Sequence, residues 1–311
     1  MTQIKLGNYK GIEIPKIIVE VSEHEVASEL ERARQMAAEW TEVEKASDGD
    51  EVLIDFEGFL DGVPFNGGKG ENYPLTLGSG SFIPGFEEQL IDAVKGDEIE
   101  VTVTFPEEYH AEELAGRKSV FKVKVHNVRR KQVPDIGDEF AAKISPYKTL
   151  DELKMKIEET VKAQKTAQKK QEAVKKQLLA LCEVILDSEE LERVVNEFVE
   201  NTRAQLQSYG MTLENYLETI GSTVDDIKKE NQVKAEEMLK ATKILGEIAG
   251  LEGIQAAETE INREIEGLSS QYNIPLEQLK AMLSQEDKEN IAADIKLGKA
   301  FQFVIDNSIE K

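Results

Sequence analysis

Apolar residues alternate with polar ones along three stretches between residues 51 and 130. Each stretch places every second side chain on one face, which is the period of a β-strand with one buried side. Turn signals separate the stretches, namely Asp-Gly at 61–62, Gly-Gly at 67–68 and Gly-Ser-Gly-Ser at 78–81. The pattern predicts several antiparallel strands. The apolar positions are Val52, Ile54 and Phe56, then Ile99, Val101, Val103 and Phe105, then Phe121, Val123 and Val125.

One short stripe of helical period interrupts this alternation. Phe86, Leu90, Ile91 and Val94 recur at helical spacing, and Gly96 follows as a helix stop signal. We therefore predict one short helix among the strands. Together they indicate a compact α+β domain over residues 48–131.

The remainder of the chain has mostly helical period. Ser22 and Glu25 form a capping-box signature that follows an extended segment at residues 12–21. From about residue 149 to the end the pattern is helical almost throughout, and its first helix is predicted from Leu150 to about Leu186. We predict an all-α domain over residues 132–311, against which residues 1–47 pack. The apolar stripe after the capping box consists of Val26, Leu30, Ala33, Ala37 and Trp40.

The 311-residue chain has a net charge of −23, with 38 Lys and Arg against 61 Asp and Glu. Nucleic acids and anionic membranes bind basic surfaces, so this charge argues against both kinds of partner. The sequence has neither an apolar run of ~18 residues nor the apolar region of a signal peptide, which favours a cytoplasmic protein. The one cysteine, Cys182, excludes an internal disulfide and lies in an apolar run that predicts a buried thiol.

Residues that hold metals or nucleotides are not grouped in this sequence. His24, His110 and His126 are far apart, and neither a phosphate-binding loop nor a dinucleotide glycine pattern is present. The many carboxylates are typical of a solvated acidic surface. We therefore expect no cofactor and no metal.

Three consecutive motifs carry a resemblance to a known family. They are VLIDFEGFLDGVPFNGGKG at 52–70, LTLGSGSFIPGFEEQLIDAVKGD at 75–97 and VTFPEEYHAEELAG at 103–116. In order, spacing and flanking strands they resemble the FKBP-type prolyl isomerase domain of bacterial trigger factors. LGNYKGIEIPKIIVEVSEHEVASELE at 6–31 resembles the family's connecting segment. ILGEIAGLEGIQAAETEINREIEGLSSQYNIPLEQLK at 244–280 and KAFQFVIDNSIEK at 299–311 resemble the last arm of its helical chaperone domain.

The resemblance implies a multi-domain fold, in which an FKBP-like antiparallel sheet with one short helix is inserted beside an all-α domain of helical arms. It also implies an apolar catalytic pocket, with the Tyr109 hydroxyl near the substrate carbonyl. Asn66 belongs to this set and stands where the family commonly has an acidic residue. Tyr73 and Leu114 extend the set in loops whose lengths vary across the family, whereas Phe105 we assign only to the core face of its strand. The pocket residues carried over are Phe56, Phe65, Phe82, Ile83, Phe86, Tyr109 and Phe121.

The function that the resemblance implies is an ATP-independent chaperone with peptidyl-prolyl cis–trans isomerase activity, whose partners are unfolded or nascent polypeptides. Two alternatives stay open. In one, the protein is a pure binding chaperone with a catalytically weak FKBP-like domain, for which Asn66 is the sequence support. In the other, the protein is an assembly factor for a single protein partner.

Trigger factors also contain a ribosome-docking domain with a Gly-Phe-Arg loop signature. This sequence contains no Gly-Phe-Arg, which leaves open either a truncated form or a natural form without that domain. Because the net charge is −23, we expect no direct ribosome docking and no nucleic-acid or membrane partner. We expect self-association no stronger than a weak dimer.

Overall fold

The computed structural model of the chain describes residues 3–109, 111 and 113–311, and His110 lies outside the described residues. The strands are β1 Gln3–Lys5, β2 Glu13–Ile14, β3 Glu39–Glu42, β4 Glu51–Leu60, β5 Val63–Thr76, β6 Glu98–Thr104, β7 Lys118–Gln132, β8 Glu183–Ile185 and β9 Ile309–Glu310. The helices are α1 Glu23–Met36, α2 Asp138–Ile144, α3 Leu150–Leu181, α4 Ser188–Ser208, α5 Leu213–Ile220, α6 Val224–Leu251, α7 Glu258–Tyr272, α8 Leu276–Met282 and α9 Gln285–Asp306. Among the described residues, no helix combines the length and the apolar character needed to cross a membrane.

The chain divides into two compact units. One contains Met1–Glu20 together with Lys162–Lys311, and the other contains Val21–Val161. This division differs from the boundaries predicted at 47/48 and 131/132. The α+β and the helical parts are both present, but residues on either side of the sheet in sequence group with the sheet.

A small separate core explains this difference. Leu30 on α1 is buried against Phe140 and Ala141 on α2 and against Leu153 at the start of α3. The helix before the sheet therefore contacts the first helices after the sheet, and the three form one cluster within the Val21–Val161 unit. Burial across long sequence separations, rather than composition, decides the boundary.

An antiparallel sheet organises the Val21–Val161 unit. The strand order is β3-β7-β4-β5, and β6 also pairs with β7. The long strand β7 lies at the centre because β4 pairs along its length, while β6 and β3 pair with its two ends. The alternation predicted from the sequence is confirmed, since Val52, Ile54, Val101, Val123 and Val125 are buried on one face.

The short helix predicted at residues 86–94 is reduced to one 3₁₀ turn, Glu87–Leu90. Phe86 and Leu90 are buried as the stripe requires, but Ile91 is 42% exposed. The backbone becomes extended at Ile91, and Asp92 then adopts a positive φ of 71°. This turn ends the helical spacing, so Ala93 is buried where the pattern predicted Val94.

Two further helix predictions need correction at their ends. The capping box at Ser22 and Glu25 is present and begins α1, but α1 ends at Met36, so Trp40 lies in β3 and not on the helical stripe. The long helix α3 ends at Leu181 instead of residue 186, because Glu183–Ile185 forms β8 and pairs with β1. In both cases strand pairing competes with the helical pattern.

Both ends of the chain are paired within the helical unit. Strand β2 runs parallel to β9, and the Ile309 amide donates to the Ile12 carbonyl at 2.8 Å. Ile12 and Ile14 are buried in the core of this unit, where Cys182 is also buried as predicted. The other buried members of this core are Val174, Leu178, Ile244, Ile248, Ala249, Ala300, Val304 and Ile305.

We expect Ile14→Ala to destabilise the helical unit by about 2–5 kcal/mol, the usual cost of truncating a buried isoleucine. Ile14 is 2% exposed, whereas Ile18 in the same segment is 70% exposed, so Ile18→Ala should change stability by less than about 0.5 kcal/mol. Urea unfolding followed by circular dichroism at 222 nm measures both variants. Equal losses for the two variants would contradict the packing described for β2.

Candidate active site

An open cavity of about 450 Å³ lies over the core face of the sheet. Strands β4, β5 and β7 supply its floor, the loop after β5 supplies one wall and the segment after β6 supplies the other. No charged side chain is among its lining residues, all of which the structure describes. They are Phe56, Phe65, Gly67, Gly68, Tyr73, Ser81, Phe82, Ile83, Pro84, Phe105, Pro106, Tyr109 and Phe121.

The aromatic rings of this cavity form a continuous edge-to-face network. The Phe56 ring lies 5.1 Å from Phe82 and 5.9 Å from Tyr73, centroid to centroid. Phe65 lies 5.7 Å from Phe121 in a nearly perpendicular arrangement. Such pairs contribute ≈0.5–1.5 kcal/mol each beyond the area they bury, so each ring is held in place by its neighbours.

Glycines beneath the rings create the space that the rings occupy. A Cβ atom on Gly58 would lie 2.5 Å from the Phe65 ring and 2.6 Å from the Phe121 ring. A Cβ atom on Gly68 would lie 2.6 Å from the Phe65 ring, and one on Gly70 would lie 2.6 Å from the Phe56 ring. Any other residue at these positions would therefore push a ring out of place.

The buried carboxylate of Glu87 holds the loop that carries Phe82 and Ile83. Glu87 is 5% exposed, and its carboxylate accepts hydrogen bonds from the Phe82 amide at 3.0 Å and the Gly80 amide at 3.1 Å. The Ser79 hydroxyl donates to the same carboxylate at 3.3 Å. A charged acceptor satisfies several backbone donors at once, so the loop has a defined conformation although it has no regular secondary structure.

Two opposing causes act on the pKa of Glu87. Burial is the largest single cause and raises the pKa. The hydrogen bonds from the Phe82 and Gly80 amides, the Ser79 hydroxyl and the Gly78 amide lower it, and together they prevail, so the pKa of Glu87 lies below its usual value. The carboxylate is therefore ionised throughout the neutral range.

The segment between β6 and β7 forms the opposite wall. The Phe105 amide donates to the Arg117 carbonyl at 3.0 Å, and the Tyr109 and Gly116 amides both donate to the Pro106 carbonyl at 3.2 Å. The Phe105 and Tyr109 rings lie 4.7 Å apart. These contacts place the half-buried Tyr109 at the cavity rim.

Most of the predicted site residues are brought together by the fold. Phe56, Phe65, Phe82, Ile83, Tyr109, Phe121 and Tyr73 all line the cavity. The sequence prediction missed Phe105, which is buried in the core as predicted but also lines the cavity, and missed the flanking prolines Pro84 and Pro106. The alternation of β6, Glu98–Thr104, continued by one residue could have indicated Phe105, whose ring contacts Phe65 as the Phe121 ring does.

Three predicted residues are not in the cavity wall. Phe86 is fully buried behind Phe82, at a ring distance of 4.5 Å, and so supports the lining from below. Leu114 is buried in the core of the sheet unit. Asn66 is exposed next to Phe65 and outside the lining, in a stretch of β5 where the pairing with β4 shifts register between Glu57 and Phe59.

Comparison with known proteins agrees with this geometry. The model for FKBP-type peptidyl-prolyl cis-trans isomerases matches residues 42–126, and the model for the bacterial trigger factor protein C-terminus matches residues 149–306. A trigger factor from Caldicellulosiruptor bescii is 42% identical over 310 residues, covering 98% of this chain and 71% of the relative. The chain belongs to the trigger factor family.

Further relatives and a solved structure support the assignment. A trigger factor from Clostridioides difficile is 40% identical over 312 residues, covering 98% of this chain and 73% of the relative. A solved trigger factor chaperone, described in terms of promiscuous substrate recognition in folding and assembly, has a TM-score of 0.52 at 22% identity and covers 98% of this chain and 73% of its own. At that identity the likeness concerns the fold. Every residue that lines the cavity lies within the FKBP-type match.

We expect Glu87→Gln to destabilise the sheet unit by about 1–3 kcal/mol, because the Gly80 and Phe82 amides lose their charged, buried acceptor. Since the folded pKa of Glu87 is lowered, its stabilisation is complete above the unfolded value of about 4.3 and is lost as the pH falls through the folded value. The variant should therefore lose less stability than the wild type between about pH 5 and pH 3. Unfolding followed by Trp40 fluorescence measures this.

The neighbouring carboxylate provides a matched control for Glu87. Glu88 is exposed, and replacing it with glutamine makes the same charge change one residue along the chain. Glu88→Gln should keep the acid-dependent loss of the wild type. An unchanged pH dependence in Glu87→Gln would contradict the loop-holding role.

Proposed function

We propose that this member of the trigger factor family is an active peptidyl-prolyl cis–trans isomerase and an ATP-independent chaperone in the cytoplasm. The observation that carries the enzymatic part is the uncharged aromatic cavity in the FKBP-type domain, with seven predicted residues in its lining. Its partners are unfolded or nascent polypeptides. The expectations about ribosome docking, nucleic acids, membranes and a weak dimer stay predictions.

Isomerisation needs rotation about a bond with a barrier of roughly 20 kcal/mol, because the amide loses its resonance in the twisted state. This rotation requires no nucleophile, metal or proton relay. A cavity lowers the barrier when it binds the twisted imide more tightly than the planar one. The twisted imide has less charge separation than the planar amide, so an apolar wall that removes it from water favours it.

The aromatic lining suits a proline ring. Phe56, Phe82 and Phe121 surround a common space with their rings and would displace water from a proline ring bound there. Tyr109 at the rim would donate its hydroxyl hydrogen to the carbonyl that precedes the proline. One hydrogen bond at the rim of the aromatic cavity would hold the peptide while the C–N bond rotates.

The helical unit supports the chaperone part of the proposal. A groove of about 390 Å³ between α3, α6 and α9 has an apolar floor that includes Met238, Leu245 and Phe301. Several large apolar side chains are also exposed on this unit, and many modest patches suit the capture of varied unfolded segments. The most exposed are Ile18, Ile185, Tyr209, Ile220, Val233, Leu251, Tyr272 and Met282.

The alternative of a weak isomerase rested on Asn66. Because Asn66 lies outside the cavity lining, the loss of a carboxylate at this position leaves the aromatic wall unchanged. We therefore favour catalysis over a purely binding role. The alternative of a single-partner assembly factor has no supporting feature in the cavity.

The test compares Phe82→Ala with Phe59→Ala in the full chain. Phe82 lines the cavity, whereas Phe59 faces the other side of the sheet, where Lys122 Nζ lies 5.2 Å from its ring. We expect Phe82→Ala to lower kcat/KM for a proline peptide at least tenfold and Phe59→Ala to change it less than about twofold. Exchange spectroscopy of the cis and trans peptide signals measures the rate.

Suppression of client aggregation is measured on the same samples. Phe82→Ala should keep most of the wild-type suppression, because the exposed apolar patches on the helical unit are intact. A wild-type protein that leaves the peptide at its uncatalysed rate but suppresses aggregation would show a pure binding chaperone. Saturable binding to one client alone would instead support the assembly-factor alternative.

A further inference from the structure

A β-bulge interrupts the pairing of β4 and β5 next to the cavity. Ile54 pairs with Tyr73 and Phe56 pairs with Gly70, so Asp55 alone lies opposite the two residues Glu71 and Asn72. A bulge of this kind leaves ladder hydrogen bonds unmade and bends the strand locally. Something other than backbone pairing must therefore fix this part of β5.

The Asp55 carboxylate supplies the missing bond. Its Oδ1 atom accepts a hydrogen bond from the Asn72 amide at 2.7 Å. Asn72 has a φ of 49°, in the left-handed region that asparagine tolerates better than most residues. A side chain on β4 thus replaces a backbone acceptor and holds the bulged residue of β5.

The second carboxylate oxygen lies close to a histidine on the neighbouring strand. His126 on β7 is half-buried, and its Nε2 atom lies 2.7 Å from Asp55 Oδ2, close but poorly aligned for a hydrogen bond. A carboxylate oxygen only accepts, so an attractive contact requires a proton on this nitrogen. The Asn72 hydrogen bond and, secondarily, His126 hold the pKa of Asp55 below its usual value.

Tyr73 follows the bulge directly and lines the cavity. Its ring lies 5.9 Å from Phe56 and 5.4 Å from Phe82, although the side chain is 40% exposed. These ring contacts hold Tyr73 from the cavity side only, since the residue is 40% exposed. Its position therefore also depends on the backbone at Asn72, which the Asp55 carboxylate holds.

We propose that Asp55 is a positioning residue of the isomerase site, which acts from the opposite face of the sheet by holding Asn72 so that Tyr73 closes one side of the aromatic cavity. Its effect on catalysis rests on the proposed function. Its effect on the position of Tyr73 does not. Asp55 itself is not among the residues that line the cavity.

The kinetic test uses Asp55→Ala and Asp55→Asn in the full chain. The loss of one charged hydrogen bond predicts a fall in kcat/KM of about five- to tenfold for Asp55→Ala, mainly through a higher KM because Tyr73 is a wall of the binding cavity. Asp55→Asn keeps an acceptor oxygen and should restore most of the wild-type value. Glu57→Ala, which removes a carboxylate from the same strand and the same face, is the matched control and should stay within twofold of the wild type.

A double-mutant cycle separates positioning from general stability. In a Tyr73→Ala background, Asp55→Ala should cause no further fall in kcat/KM, because the residue that Asp55 positions is already absent. Multiplicative losses in the double variant would overturn the inference. So would an equal loss in Glu57→Ala.

NMR spectroscopy tests the role of Asp55 independently of isomerase activity. In Asp55→Ala the Asn72 amide should exchange with solvent faster, and the nuclear Overhauser contacts from the Tyr73 ring to Phe56 and Phe82 should weaken, with Asp55→Asn between the two. Tyr73 contacts that persist while the Asn72 amide exchanges freely would overturn the inference. If Asp55→Ala does not fold, the same comparison of Tyr73 contacts and Asn72 exchange is made in Asp55→Asn. A wild type without isomerase activity would overturn only the proposed function.

Discussion

The absence of Cβ atoms at Gly58, Gly68 and Gly70 is the constraint on which the cavity depends. The Phe56 and Phe65 rings lie within 2.5–2.9 Å of the positions that those atoms would occupy. Two large rings can therefore approach the backbone of β4 and β5 closely, and the Phe82 and Phe121 rings pack against them. A Cβ atom at any of these positions would displace a ring that lines the cavity.

Charge and apolar surface have separate roles in the FKBP-type domain. The lining is uncharged, so no ionised side chain has to lose its water when an apolar ring binds. Carboxylates lie behind it and bind backbone amides, as Glu87 does at the loop after β5 and Asp55 does at the bulge in β5. The backbone of the loop and of the bulge in turn holds the aromatic side chains that it carries, Phe82 and Tyr73. The proposed catalysis of a bond rotation would need this rigidity more than a reactive group.

The sequence predicted the parts of the fold that depend on local patterns. Alternation identified β4, β6 and β7, and the capping box at Ser22 identified the start of α1, because these signals depend on neighbouring residues. The predictions failed where distant segments decide the outcome. The helix after Leu90 gave way to a turn, α3 ended where β8 pairs with β1, and α1 joined the sheet unit through contacts with Phe140.

The same distinction applies to the site. The family resemblance indicated which residues would form the cavity, and the alternation put Phe56 and Phe121 on the core face of the sheet. Neither signal could distinguish a residue that lines the cavity from Phe86, which is buried behind the lining. The contributions of Glu87 and Asp55 had no sequence signal, since an acidic residue in a chain with 61 Asp and Glu reads as surface. Only the hydrogen bonds to loop and bulge amides distinguish them.

The most direct test of the account is to locate the proline ring of a bound peptide. Intermolecular nuclear Overhauser effects can be recorded between a short proline peptide and the full chain with labelled aromatic residues. The account predicts contacts from the proline ring protons to Phe56, Phe82 and Phe121. Contacts confined to Phe59 on the opposite sheet face, or to the groove of the helical unit, would contradict it.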